Sequence, residues 1–416
     1  MQALGLCGVT AGVYLGMQIA DMALGMLVAM AAALSVYVAF EGIPATLRAW
    51  GDRSRDRGGG LAALRRSLVK MAGLVALLGL ALAACMVLPF FRRAAPVEWI
   101  AGHRAATWVI VPLLALSFAY IWLADRLSDD PDDYLYQTGR VVLMQDFRPE
   151  AVLFGVRVLC IKLFFLVLMF SGGMESLAWF SAHGFREEAL FSATWFDKCV
   201  RLIYLADVVL AAMGYVATFK LFGWHIRQTE TRALGWAVCM LCYEPFFSAV
   251  SAAFVPYGDG PDWRAVIHEG STVFLVWSVV VLTLHAIYVW ATIAFGPRFS
   301  NLTHRGIISG GPYRFTKHPA YLAKNAAWWL FSMPGFIASG WADGLSRAAM
   351  LAVISGVYVL RARAEERMLR KDPVYVDYAA RVAANGLLAQ LKRLLGTADR
   401  RRAAQAAGAP DRRQGH

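Results

Sequence analysis

The residues that could do chemistry gather in two stretches of the last third of the chain. The first runs GIISGGPYRFTKHPAYLAKN from Gly306 to Asn325 and brings Tyr313, Arg314, Lys317, His318 and Tyr321 close together. Its three glycines and two prolines argue against one continuous helix from Gly306 to Pro319. Irregular backbone between apolar segments leaves N–H and C=O groups unpaired, which is tolerated where they line a polar cavity or grip a ligand. The second stretch carries Arg361, Glu365 and Glu366, followed by Tyr375 and Tyr378. Arg361 and Glu365 are four apart, so on a helix they share a face and can bracket a cleft.

Composition says what kind of scaffold must position these groups. The 416 residues are 58% hydrophobic and only 17% charged, with a mean hydropathy of +0.49. A soluble domain has roughly 45–50% apolar and about 25% charged residues, so the chain lacks the polar surface of several soluble domains. Apolar runs of spanning length recur near 3–20, 22–40, 68–91, 106–124, 151–171, 199–222, 233–256, 268–295, 324–341 and 345–360. They do not alternate with period two, which excludes a barrel. The expected fold is all-α, a polytopic transmembrane bundle of about eight to ten helices. The chain divides into an N-terminal transmembrane bundle (1–294), the region carrying the chemistry (295–384) and a basic tail (385–416) whose end, from about Thr397, reads as disordered. The N-terminus does not read as a removable signal peptide.

The net charge of +12 must also be placed. Nucleic-acid binding needs a basic patch on a soluble domain, whereas here Lys and Arg lie mostly between apolar runs, so no nucleic-acid partner is expected. Stretches 41–67, 125–150, 223–232, 296–323 and the tail from 361 hold about 28 Lys and Arg, against about 6 in 92–105, 172–198 and 257–267. That bias puts the first set, and the C-terminus, in the cytoplasm. With an Ala-, Gly- and Arg-rich composition hinting at a GC-rich genome, the expected location is a bacterial inner membrane.

The two chemical stretches together resemble the isoprenylcysteine carboxyl methyltransferase family and related membrane phospholipid methyltransferases. The hallmark of those proteins is GxYxxxRHPxY, a short helical hairpin, then R-x-x-x-E-E and Y-x-x-Y. This chain has Gly311-Pro312-Tyr313-Arg314, Lys317-His318-Pro319-Ala320-Tyr321, then Arg361, Glu365-Glu366, Leu369, Tyr375 and Tyr378. The likeness covers about residues 295 to 383. It implies an S-adenosylmethionine site built from the backbone of Arg305, Gly306, Ile307 and Ile308, then Tyr313, then His318, Pro319, Ala320 and Tyr321, completed by Glu365. Arg361 matches the arginine that faces the acceptor, and Arg361 and His318 are the expected catalytic residues.

The chemistry is reasonable on its own terms. Tyrosine faces attract the sulfonium and ammonium, a glutamate pairs with the ammonium or ribose hydroxyls, and backbone N–H groups take the carboxylate. The implied activity is methyl transfer to an amphiphilic acceptor, lipid or isoprenoid-like, reached from the bilayer. A carboxylate acceptor needs no general base, and Arg361 suits it; an amine would need His318 or Glu366 as base. The chain departs from the family at Lys317, where Arg is usual, at Ala323, where Gly often stands, and after Val382, where an Arg-Pro ending is absent. Its long N-terminal bundle has no counterpart in compact members.

Other readings attach to other residues. A sterol-reductase-like NADPH enzyme has a similar HPxY segment, and a transporter or scaffold would rely instead on the deep charges Lys162, Asp207, Glu244 and His285, which are expected either to line a cavity or to pair between helices. Arg157 and Arg201, near helix ends, are expected to snorkel. Arg363, Arg367 and Arg370 read as a solvated face. Asp129, Asp130, Asp132 and Asp133 read as a solvated loop, and the loop around Trp224, His225, Arg227 and Glu230 as a neighbour of the site. No metal site is expected: Cys239 and Cys242 form a CxxC without a second ligand pair, and the cysteines read as small hydrophobes.

Overall fold

A computed structural model describes residues 1–51, 60–88, 105–127, 132–144, 149–184, 189–254 and 261–395. The chain is an all-α polytopic bundle. Among the described residues, six helical stretches are long and apolar enough to cross a membrane: Met22–Arg48, Gly60–Val87, Pro149–His183, Ala193–Val216, Thr272–Arg298 and Trp341–Leu369. The end of the tail and Asp129 and Asp130 lie outside the described residues.

Helices α1 (Gln2–Met17) and α2 (Met22–Tyr37) form a tight hairpin. Asp21 turns the chain by accepting the Leu24 N–H at 3.0 Å, the ordinary N-cap bond. Gly5, Gly8, Gly12 and Gly16 put a smooth stripe against α2; a Cβ on Gly12 would lie 2.4 Å from the Ala29 carbonyl oxygen. Small residues let backbones approach where lipid supplies no hydrophobic drive. After α3 (Ile43–Gly51) come α4 (Gly60–Val87), α5 (Ala105–Leu127) and α6 (Tyr134–Met144).

Helix α7 (Pro149–His183) overturns one expectation, because residues 172–183 continue the helix instead of starting a loop. At about 1.5 Å per residue it is about 52 Å long, well beyond a hydrocarbon core of about 30 Å. Leu177 and Phe180, buried in the main core, hold its last turns against the bundle. Helix α8 (Ala193–Val216) starts at the Ser192 cap and ends earlier than the 222 expected. The core sits where α1, α2, α7 and α8 meet.

The run near 233–256 is not one span. It divides into α9 (Ala233–Met240) and α10 (Phe246–Phe254). Pro245 cannot continue the hydrogen-bond ladder, and Glu244 accepts the Ser248 N–H and hydroxyl at the new helix start. Helix α11 (Trp263–Val266) precedes α12 (Thr272–Phe295); α13 (Pro319–Ala338) and α14 (Trp341–Leu369) form the expected hairpin at Gly340, and α15 (Pro373–Asn385) follows; beyond Gly386 the first part of the basic tail, residues 387–395, is helical.

The stretches richest in Lys and Arg meet at one end. Glu41 holds Arg298 and accepts from Trp224 Nε1, Lys220 reaches Asp133, and Leu387 N donates to the Phe315 carbonyl. Opposite stretches meet elsewhere: Lys198 donates to the Gly184 carbonyl, and Arg264 pairs with Asp197 and Asp262.

Candidate active site

The loop from Gly296 to His318 departs from α12 and is fixed at several points. A two-residue antiparallel ladder pairs β1 (Gln228–Thr229) with β2 (Thr303–His304). Arg305 is 3% exposed, and its guanidinium donates to the Trp224, Gly214, Phe299 and Ala217 carbonyls. Two of these are the orphan carbonyls at the end of α8, so the cation also faces the negative end of that helix. Burial lowers the Arg305 pKa to about 9, which leaves it charged at neutral pH. The residue was expected to contribute backbone to the site; its side chain is a clamp that holds the loop.

Beyond Arg305 the backbone turns at Gly306, with φ of 105°, a conformation that favours glycine. The N–H groups of Gly306, Ile307 and Ile308 donate to nothing among the described residues. A short 3-10 turn, Gly311–Arg314, then buries Tyr313. Tyr378 of α15 donates its hydroxyl to the Tyr313 carbonyl at 2.8 Å. Burial holds the Tyr313 phenol far above its usual range and pushes Tyr378 up to about 12, so both stay neutral.

The two chemical stretches meet at the start of α13 and the last turns of α14. His318, at the N-cap of α13, places Nε2 3.0 Å from Glu366 Oε1, and its ring stacks on Tyr321 at 5.5 Å. Lys317 Nζ lies 2.5 Å from the same Glu366 oxygen. Tyr321 donates its hydroxyl to Glu365, whose Oε1 also takes Arg361 Nε at 3.3 Å. Arg361 is nearly buried, with its guanidinium 4.9 Å from the Tyr321 ring centre and 5.2 Å from that of Tyr243.

A cavity of about 150 Å³ lies between these groups. Its lining includes every expected cofactor residue, Arg305, Gly306, Ile307, Ile308, Tyr313, His318, Ala320, Tyr321 and Glu365, with one exception, and Arg361 as well. The exception is Pro319, buried at the first position of α13, where its missing N–H leaves nothing unpaired. Phenol, carboxylate, imidazole and free backbone N–H groups on one cavity suit a ligand with cationic centres and a carboxylate.

Sequence reasoning missed several lining residues, among them Asn301, Tyr243, Tyr358 and Lys324. Asn301 Oδ1 accepts Arg361 Nη2 at 2.7 Å, and its amide donates to the Tyr215 and Tyr243 hydroxyls. The deep charges behave otherwise than a cavity lining. Lys162 donates to Thr218 Oγ1 at 2.7 Å, His285 Nδ1 lies 2.8 Å from the Val281 carbonyl, and Glu244 is exposed. Asp207 stands just behind the wall, accepting the Tyr288 and Thr292 hydroxyls at 2.5 Å each.

A second cavity of about 490 Å³ lies beside α4, α5, α6 and α7, lined among others by Lys70, Tyr120, Asp133, Gln137 and Lys220, with His225 and Arg227 of the neighbouring loop. Cys239 and Cys242 are buried free thiols, and no cluster of metal-ligating side chains occurs among the described residues. Comparison of the chain with known protein families, with curated proteins and with solved structures finds no match.

Proposed function

We propose that the cavity beneath the 296–318 loop is the site of an S-adenosylmethionine-dependent methyltransferase that acts on an amphiphilic acceptor, favouring a carboxylate. The observation that carries this reading is the convergence of His318 and Tyr321 with Arg361, Glu365 and Glu366, from the two ends of a helical hairpin (His318 and Glu366 are 48 positions apart), on a cavity edged by free N–H groups of Gly306 to Ile308. The N–H groups would take the cofactor carboxylate, Glu365 its ammonium or ribose hydroxyls, and the Tyr313 and Tyr321 rings its cationic centres. Bound there, the cofactor would supply a methyl group on a sulfonium for transfer to the acceptor's oxygen.

What the chain itself contributes is position. Arg361 orients Glu365 and stacks between tyrosines, and the aromatic walls exclude water from a charge-neutralising transfer. A carboxylate oxygen attacks with its own lone pair, so no proton has to move. His318 is held against Glu366, which fixes the start of α13 and with it the Tyr321 ring.

Charge favours this cofactor over a phosphate-rich nicotinamide dinucleotide. Of the cations on the cavity, Arg298 is taken by Glu41, Arg305 by four carbonyls and Lys317 by Glu366, so the loop end offers a pyrophosphate little. The bias of Lys and Arg orients the loop and C-terminus toward the cytoplasm, where the cofactor is made, and a bacterial inner membrane fits that topology. Calorimetry with S-adenosylhomocysteine on detergent-purified protein tests the reading. Wild type binds it in preference to NADPH, and His318→Ala and Glu365→Gln each weaken binding about tenfold or more; unchanged affinity in both variants sinks it.

A further inference from the structure

The cavity has a second half that the cofactor residues do not use. Its floor is Lys324 on α13, one turn beyond Tyr321, with Tyr288, Thr292 and Tyr358. The Lys324 ammonium lies 5.6 Å, 5.0 Å and 5.9 Å from the ring centres of Tyr288, Trp328 and Tyr358, and it hydrogen-bonds to nothing among the described residues. Asp207 does not take it up, because that carboxylate is satisfied by the Tyr288 and Thr292 hydroxyls. Aromatic faces offset part of the cost of burying an ammonium, but they leave its three N–H donors without oxygen acceptors. Every other Lys or Arg on the cavity already has oxygen partners: Arg361, for example, has Glu365, Asn301 and Tyr243.

A narrow apolar groove adjoins this floor. Leu241, Phe247, Val250, Ile354 and Val357 line it, and Tyr358 belongs to both the groove and the cavity. It exists because the chain breaks between α9 and α10, which opens a slot against α14.

Resting on the methyltransferase reading above, we propose that Lys324 is the residue that holds the acceptor's anionic head, and that the acceptor is a single-chain carboxylate whose tail lies in the groove beside Tyr358. One carboxylate oxygen pairs with Lys324 while the other attacks; the O–CH₃ bond forms as the S–CH₃ bond breaks, the pair stays on sulfur, and no proton is released. Charge balance points the same way. The lining carries Arg298, Arg305, Lys317, Lys324 and Arg361 against the carboxylate of Glu365, and the cofactor, with two cationic centres and one carboxylate, adds one further net positive charge, so an anionic acceptor is favoured over a neutral or cationic one. Arg361, held on three sides, is then a positioning residue for Glu365.

Binding of dodecanoate, dodecanol and dodecylamine to the full chain in nanodiscs, with and without S-adenosylhomocysteine, tests this directly. Wild type should prefer dodecanoate, more so with S-adenosylhomocysteine bound. Lys324→Met should weaken dodecanoate about tenfold or more while leaving dodecanol and S-adenosylhomocysteine unchanged, and Lys324→Arg should restore most of the preference. Ile354→Trp, which fills the groove, should weaken dodecanoate and spare butyrate, and it keeps the proposal testable if Lys324→Met does not fold. If wild type binds S-adenosylhomocysteine but shows no carboxylate preference, or if Lys324→Met retains it, the Lys324 assignment is overturned and the methyltransferase reading stands. If wild type fails to bind S-adenosylhomocysteine at all, it is that reading that falls.

Discussion

Between α4, α5 and α6, Lys70 bridges Asp125 at 2.8 Å and Asp133 at 3.0 Å, Lys220 joins Asp133 at 3.3 Å and Arg66 joins Asp125 at 2.8 Å, whereas under the 296–318 loop the cations lie on rings and carbonyls as much as on carboxylates. The first arrangement is closed: ammonium and guanidinium groups meet carboxylates directly, with Asp125 wholly buried. The second is open, with Arg361 and Lys324 spread over Tyr243, Tyr321 and Tyr358 and with free N–H groups across the cavity. Charges that satisfy one another make a joint between helices. A charge held by aromatic faces alone, as Lys324 is, keeps its donors for something else.

The largest effect that would sharpen this contrast is expected at Arg305. Arg305→Ala leaves the Trp224, Gly214, Phe299 and Ala217 carbonyls without their donor and should destabilise the protein by about 3–5 kcal/mol, abolishing S-adenosylhomocysteine binding as the loop detaches; Arg305→Lys recovers only part. A melting temperature equal to wild type would remove the clamp from the account. Next comes Asp125→Asn in the closed network, which deprives Arg66 of its carboxylate and leaves Lys70 with Asp133 alone, and should cost about 2–4 kcal/mol of stability. Ligand affinity, measured below the melting transition, should not change, and an equal loss of affinity would erase the distinction between joint and site. Tyr378→Phe should be milder, about 1 kcal/mol, with a few-fold loss of ligand affinity from the loosened Tyr313 turn.

The smallest expected effect is on pH dependence. His304 in β2 is buried, with Nε2 3.2 Å from Asp372 Oδ2, and burial lowers its pKa from 6.5 despite the opposing pull of that carboxylate. The folded state therefore resists the proton that the unfolded chain accepts. Stability from this residue is present above pH 6.5 and is lost as pH falls below that value. Melting curves should drop on acidification through this window, and His304→Gln should flatten the drop; an unchanged slope would mean that other groups carry it.

Much of this was legible in the sequence. Runs of apolar residues located the long helices, and the four-residue spacing of Arg361 and Glu365 placed both on one face of α14. What the sequence concealed depends on long-range packing. The break at Pro245 lies inside an apolar run, so hydropathy alone read residues 233–256 as one span. Tyr243 and Asn301 meet Arg361 across 118 and 60 positions of chain, a pairing that no local pattern encodes. Lys324, one turn from a polar helix start, has the position of a snorkelling side chain, and only its place among Tyr288, Trp328 and Tyr358 shows that it points inward.

The first helix carries a consequence for assembly. Gln2 accepts Trp290 Nε1 at 2.8 Å, and a Cβ on Gly311 would lie 2.3 Å from its amide nitrogen. The loop thus packs against Gln2, which precedes even Trp290 by 288 positions of chain. Such contacts close slowly, because distant segments must be brought together before the pairing rewards them. The ligand pocket should therefore mature last, after the helices are inserted, and gain ligand affinity only when the opening hairpin has docked.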